Sequence, residues 1–239
     1  MKTKSKLIII VIVLLMIIIV SLAYVIFKPY YFVVEDINIT GNSYLTESEI
    51  VTSSTIRHGE SIILLSIQDV ENRLNDLAWV YKSDAKKIWP SDISIIIEER
   101  KPLLALSYHG SFVIIDTKGV CLDIRSNFAE VNLPIINGYV PDDVTAGERV
   151  MSEESWRRII KITDNMPRSL ILQLSEISIY GNEVKLFLNN GLEIYLGDII
   201  EFEEDKLMLI PEIIESIEDI KQGYLDLSGI YIVFRSFIN

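Results

Sequence analysis

The hydrophobic pattern takes three forms along the chain. From Leu7 to Phe27 it is unbroken, LIIIVIVLLMIIIVSLAYVIF, with no charge, Pro or Gly. At 1.5 Å per residue this run makes about 31 Å of helix, the thickness of a bilayer's hydrocarbon core. Water cannot satisfy a backbone there, so one continuous helix is expected. After it the pattern becomes mixed. Phe32 to Thr40 alternates like a half-buried strand, with Ile37 and Ile39 between Asp36, Asn38 and Thr40. Gly41 and Asn42 break it. Thr46 and Glu49 have capping-box spacing, which starts a short helix ending near His58 and Gly59. Ser66 starts a second helix, in which Ile67, Val70, Leu74 and Leu77 form an apolar stripe. Lys82 to Trp89 and Ile93 to Glu98 read as strands around a turn at Pro90 to Asp92. Strand, helix, helix, strand, strand make a complete small α+β domain, two helices covering one face of a sheet.

Beyond Pro102 short strands dominate. Leu103 to Tyr108, Phe112 to Ile115 and Val120 to Ile124 are joined by turns at His109-Gly110 and Asp116 to Gly119. Leu133 to Gly138 is extended. Ser152 caps a helix carrying Trp156, Ile159, Ile160 and Ile162, and Met166-Pro167 stops it. Three strands follow, at Ile177 to Tyr180, Val184 to Leu188 and Leu192 to Leu196. Glu201 to Ile220 reads as an acidic helix with Phe202, Leu209, Ile213 and Ile217 inward, kinked or split at Pro211. Tyr224 to Leu227 and Ile230 to Phe237 read as two strands around Ser228-Gly229. The whole is an α+β chain in four parts: a tail at 1–6, a membrane helix at 7–27, a small domain at 32–101 and a mainly antiparallel β-domain at 102–239.

Charge orients the anchor. Lys2, Lys4 and Lys6 precede the run with no acid among them, whereas only Lys28 follows before Glu35 and Asp36. That bias keeps the N-terminus cytoplasmic and places the remaining residues outside. Tyr24, Tyr30 and Tyr31 suit the outer headgroup level. A cleaved signal peptide is the competing reading, since Ser21, Leu22 and Ala23 resemble a cleavage site. The apolar run continues past them without a polar region, which favours the uncleaved anchor. Net charge is −12; without the three tail lysines, 19 basic residues face 34 acidic ones. Such a surface repels nucleic acid. Cys121 is the sole cysteine, so no internal disulfide holds the exported part, and its apolar neighbours make it a buried small hydrophobe.

Catalysis finds no constellation in the sequence. His58 and His109 stand in separate turns, and no nucleophile elbow, zinc motif or P-loop occurs. Glu98 and Glu99 are adjacent on a strand and point to opposite faces. The acids Glu201, Glu203, Glu204 and Asp205 read as a solvated helix face. Neither a cofactor nor a small-molecule substrate is expected, and function should reside in surfaces.

Several runs resemble one bacterial family. FVVEDINITGNSYLTESEI, HGESIILLS and NDLAWVYKSDAKKIWPSDISIIIEERKP resemble a POTRA domain of the FtsQ/DivIB division proteins. SFVIIDTKGV, LPIING, NNGLEIYLG with Lys206 downstream, and GYLDLS are similar to successive segments of that family's β-domain. The order and spacing cover about residues 5 to 237. The resemblance implies a divisome scaffold that binds FtsL-type and FtsB/DivIC-type single-span partners and helps assemble septal wall synthesis. It departs at Ser228-Gly229, which runs straight into Ile230 where many members carry an Arg, an aromatic and a longer turn.

The partner site is expected on the closing strands. Ile230, Tyr231, Ile232, Val233 and Phe234 are strongly β-prone and precede Arg235, so an exposed edge there could accept a strand from another chain. An ordinary core strand covered by residues 236–239 fits the sequence equally. The resemblance implies partner binding along this region, which selects Tyr224, Leu225, Asp226 and Ile230 to Arg235. The alternatives are a POTRA-bearing export factor and a membrane-tethered hydrolase.

Overall fold

The computed structural model describes residues 2–26, 32–139, 141, 143–216 and 223–236. Helix α1 (Lys2–Ile26) contains a 20-residue stretch, Lys6–Val25, that is long and apolar enough to cross a membrane, and the large apolar side chains from Leu7 to Val25 are exposed. Tyr30, Tyr31, Ile217 and Phe237, given roles above, lie outside the described residues. The chain divides into two compact units, Met1–Glu99 and Arg100–Asn239.

In the first unit, β1 (Asp36–Thr40), α2 (Glu47–Ser54), α3 (Ile67–Asn75), β2 (Val80–Ile88) and β3 (Asp92–Glu99) follow in the expected order. The sheet order is β1-β3-β2, with β1 parallel and β2 antiparallel to β3. Thr46 Oγ1 accepts from the Glu49 N–H at 3.2 Å while the Glu49 carboxylate accepts from the Thr46 N–H at 2.8 Å, closing the capping box. Val70 and Leu74 carry the α3 stripe into a core with Ile50, Ile62, Ile93, Ile95 and Ile97. Gly41 has φ +89°, and a Cβ there would stand 2.1 Å from the Ile97 carbonyl oxygen. The Gly-Asn break is therefore fixed by close approach of two backbones. Trp79 stacks on Tyr44 at 4.5 Å, as a structural residue should. Trp89 meets the edge of Phe32 at 5.9 Å and remains 56% exposed.

The second unit is built on one nine-stranded sheet. Its strands are β4 (Pro102–Tyr108), β5 (Ser111–Asp116), β6 (Cys121–Arg125), β7 (Ile135–Asn137), β8 (Leu174–Tyr180), β9 (Glu183–Leu188), β10 (Leu192–Asp198), β11 (Gly223–Asp226) and β12 (Val233–Ser236). They lie in the order β12-β11-β10-β9-β8-β7-β4-β5-β6. The β4–β7, β7–β8 and β10–β11 pairs are parallel and the rest antiparallel. Along β9 and β10 the residues Val184, Leu186, Leu188, Leu192, Ile194 and Leu196 are buried and alternate with more exposed neighbours. Helices α4 (Glu153–Thr163), α5 (Arg168–Ile171) and α6 (Asp205–Ser216) add Trp156, Ile159, Ile162, Leu170, Leu207 and Ile210 to this core.

Two local features explain the motifs of this unit. Asp116 is 3% exposed; its carboxylate accepts from the Lys118 N–H (2.8 Å), the Val120 N–H (2.9 Å) and the Arg100 guanidinium (2.9 Å). It thus folds the turn ending in Gly119. Gly138 has φ +92°, and a Cβ there would meet the Ile179 carbonyl oxygen at 1.8 Å. β7 can lie beside β8 only because its last turn has no side chain.

The acidic helix differs from expectation. It begins at Asp205, so Phe202 is buried outside it and cannot set its phase. Leu207 and Ile210 face the core, while Leu209 is 44% exposed. Pro211 lies inside one undivided helix. The last strand is also shorter than expected: Ile230, Tyr231 and Ile232 are not part of it, because Asp226 pairs with Val233. The connection is therefore Leu227 to Ile232, longer than the two-residue turn expected.

Candidate functional site

Groups that could have formed a catalytic centre are engaged elsewhere. His58 Nδ1 lies 2.8 Å from the Glu35 carbonyl oxygen, and the His109 ring packs edge-on to Tyr108 in the other unit. Glu99 accepts the N–H groups of Tyr44 and Leu45. Cys121 is fully buried, and burial, aided by the Asp123 charge, pushes its thiol up to about 11. Among the described residues no group of three or more His, Cys, Asp or Glu side chains is placed to hold a metal ion.

Attention falls on the sheet edges. The outer edge of β2 is occupied: the Ser83 N–H donates to Asn75 Oδ1 at 2.8 Å and the Ala85 N–H to Glu71 Oε1 at 2.9 Å. Two successive outward donors of that strand are taken by side chains of α3. At β6 the Cys121 N–H donates to the Glu148 carbonyl (2.9 Å), and its carbonyl accepts from Gly147 (2.8 Å). β12 is the terminal strand of the large sheet, and among the described residues no strand pairs with its outer side. A terminal strand of this kind can serve as a template for another strand.

The predicted residues divide between edge and support. Leu225 is buried in the core, opposite Phe234, which packs half-buried against that core. Tyr224 faces Arg235 across the pair, and Asp226 faces Val233. Ile230 is 94%, Tyr231 82%, Ile232 42% and Val233 41% exposed. Four consecutive large apolar side chains thus stand in solvent at the start of the sheet's terminal strand, rather than forming the core strand that the sequence equally allowed.

The sheet face beside this edge is aromatic and charged. Lys185 and Tyr195 are register partners, and the Lys185 ammonium lies 5.9 Å from the Tyr195 ring centre. Tyr195 stacks at 6.4 Å on Tyr224. The Tyr195 hydroxyl donates to Glu183, and this bond pushes its pKa up to about 12. Burial, then the Asp226 charge, raises that of Tyr224. The alternation of β10 could have exposed Tyr195 as an outward residue from sequence, since Leu192, Ile194 and Leu196 take the inward positions.

Lys206 and Gly223 support the edge. Lys206 Nζ donates to the carbonyls of Leu227 (3.3 Å) and Gly229 (3.0 Å). The Ser228 N–H and hydroxyl both donate to Asp226 Oδ1. Together these bonds fold Leu227 to Gly229 and set where the apolar run emerges. Gly223 leaves room for the Phe234 ring, which would lie 2.6 Å from a Cβ there; no sequence signal marks it. Lys206→Met should loosen this turn, costing about 1–2 kcal/mol for charge-assisted bonds to partly buried carbonyls. Faster amide hydrogen exchange over residues 228–232, with α4 unaffected, is the expected readout.

Comparison with known proteins assigns the chain. The family model for the FtsQ-type POTRA domain matches residues 32–100, and that for the FtsQ/DivIB C-terminal region matches 105–228. The cell division protein DivIB of Clostridium tetani is 26% identical over 84% of this chain and 78% of that protein. DivIB of Clostridium acetobutylicum is 26% identical over 65% of this chain, which spans 58% of that protein. The solved major extracytoplasmic domain of DivIB from Geobacillus stearothermophilus covers 52% of this chain and 98% of its own, at 18% identity and a TM-score of 0.34. With both of its domains matched in order behind an apolar helix, the chain belongs to the FtsQ/DivIB family of bacterial cell-division proteins.

Proposed function

We propose that this protein is a divisome scaffold, anchored once in the cell membrane with its N-terminus cytoplasmic. Residues 32–101 form its POTRA domain and residues 102–239 its β-domain, both extracytoplasmic. The β-domain captures FtsL-type and FtsB/DivIC-type single-span partners, the edge of β12 taking up a strand by β-augmentation while Tyr231 and Val233 pack against it. No step of this work is chemical: the protein gathers partners where septal wall is made. The open, apolar-flanked edge of β12 in a cell-division family is the observation that carries the reading.

A functional fluorescent fusion on the cytoplasmic tail tests this in growing cells. A midcell band that forms with the septum is expected. Uniform membrane signal, with normal division after depletion, would overturn the proposal.

A further inference from the structure

The POTRA unit carries an apolar surface of its own, at the end where β2 turns into β3. Three segments meet at the end where the chain enters from α1. The Ile62 N–H donates to the Phe32 carbonyl at 3.0 Å, and the Glu35 N–H to the Ser91 carbonyl at 2.8 Å. Phe32 meets Trp89 edge-on at 5.9 Å, and Lys87 Nζ donates to the Ile63 carbonyl at 3.2 Å. Around this junction Leu64 is 84%, Trp89 56%, Ile88 48% and Ile63 37% exposed. Such a cluster is costly in water, and no fold requirement explains Leu64 or Trp89 pointing outward.

Covalent geometry says what lies opposite. Five residues, 27–31, separate Ile26 from Phe32. Even fully extended they reach only about 20 Å. The span Lys6–Val25 covers the hydrocarbon thickness, so the tether begins at its boundary. The bilayer surface is thus always within reach of this patch. Trp, branched aliphatics and a nearby lysine are the side chains that favour the headgroup boundary. The net-acidic chain rules out general attraction to anionic lipid, so apolar contact has to supply the binding.

We propose that the Ile63, Leu64, Ile88 and Trp89 surface rests in the headgroup layer of the bilayer spanned by α1, holding the POTRA unit down on the membrane. This rests on α1 crossing that membrane.

Site-directed spin labelling of the full chain tests it. Cys121 is fully buried, so Leu64→Cys offers one accessible thiol, and Glu47→Cys, beside Tyr44 at the opposite end of the unit, is the control. In phosphatidylcholine vesicles the ratio of oxygen to nickel-chelate collisions should be several-fold higher at residue 64 than at residue 47. Because the nitroxide is itself apolar, adding Trp89→Glu should return residue 64 to water-like values. Equal, water-like ratios at both sites would overturn the docking. So would lipid contact that appears only with anionic phosphatidylglycerol, or spin–spin broadening that assigns the patch to a second copy. Alkaline carbonate washing separates the two premises. A chain retained in the vesicles with a water-like residue 64 refutes the docking alone, whereas a released chain refutes the span.

Discussion

Gly138→Val should unfold the C-terminal unit. The new Cβ would be placed 1.8 Å from the Ile179 carbonyl oxygen, and φ is +92°. The backbone strain alone costs about 1–2 kcal/mol for a residue with a Cβ. The clash cannot be relieved by rotating a side chain, because its partner is the backbone of β8. Relief requires β7 and β8 to part, and they are joined by three register pairs at the middle of the sheet. A total loss above about 4 kcal/mol is expected, a large share of a domain's usual 5–15 kcal/mol. Gly181→Ala is the matched control. Its φ is +62° with nothing within 4 Å of a new Cβ, so only the strain applies. Thermal melts and limited proteolysis of the two full-length variants should separate them clearly. Similar melting of both would show that the close approach at Gly138 is not what holds β7 in place.

Tyr231→Lys with Val233→Lys should abolish capture of the FtsL- and FtsB/DivIC-type partners and leave the fold intact. Both side chains are exposed, at 82% and 41%, so stability should change by under about 0.5 kcal/mol each. Two lysines on an open edge oppose strand addition by charge and by loss of apolar contact. Removing two anchors of an interface should weaken binding about a hundredfold or more. Co-purification of the variant with its single-span partners, against the unaltered chain, reads this directly. Undiminished recovery would show that β12 is not the docking edge.

The fold was legible where local chemistry decides it. Thr46 with Glu49, Ser66, Ser152 and the α3 stripe marked their helices, because caps and apolar periodicity act over a few residues. The hairpin at His109-Gly110 and the turn at Gly119 were equally visible. What escaped depends on neighbours distant in sequence. Leu209 was placed inward because Phe202 was counted as helical, whereas the helix starts three residues later. The run Ile230 to Phe234 has every β-forming side chain a strand needs. Lys206, some twenty residues away, nevertheless folds the preceding turn, and pairing starts only at Val233. In the segment proposed as the partner site, Ile230, Tyr231 and Ile232 read as strand residues and lie outside β12. Gly223 and the blocking of β2 by Asn75 and Glu71 left no trace in the pattern at all.

The position of β12 has a consequence for timing. Among the described residues it pairs only with β11, and β11 reaches the rest of the sheet only through its parallel contact with β10, across the α6 crossover. Parallel pairing over a long connection forms late, since the loop must be closed before any contact rewards it. Among the described residues, the strand proposed to dock partners is the last in sequence. A chain cleaved before Val233 would lack the strand proposed to dock partners even with its earlier strands folded. Under the docking proposed above, a copy whose C-terminal unit has not finished folding would lack the strand that partners pair with, and its capture would fail for want of an edge rather than of an anchor.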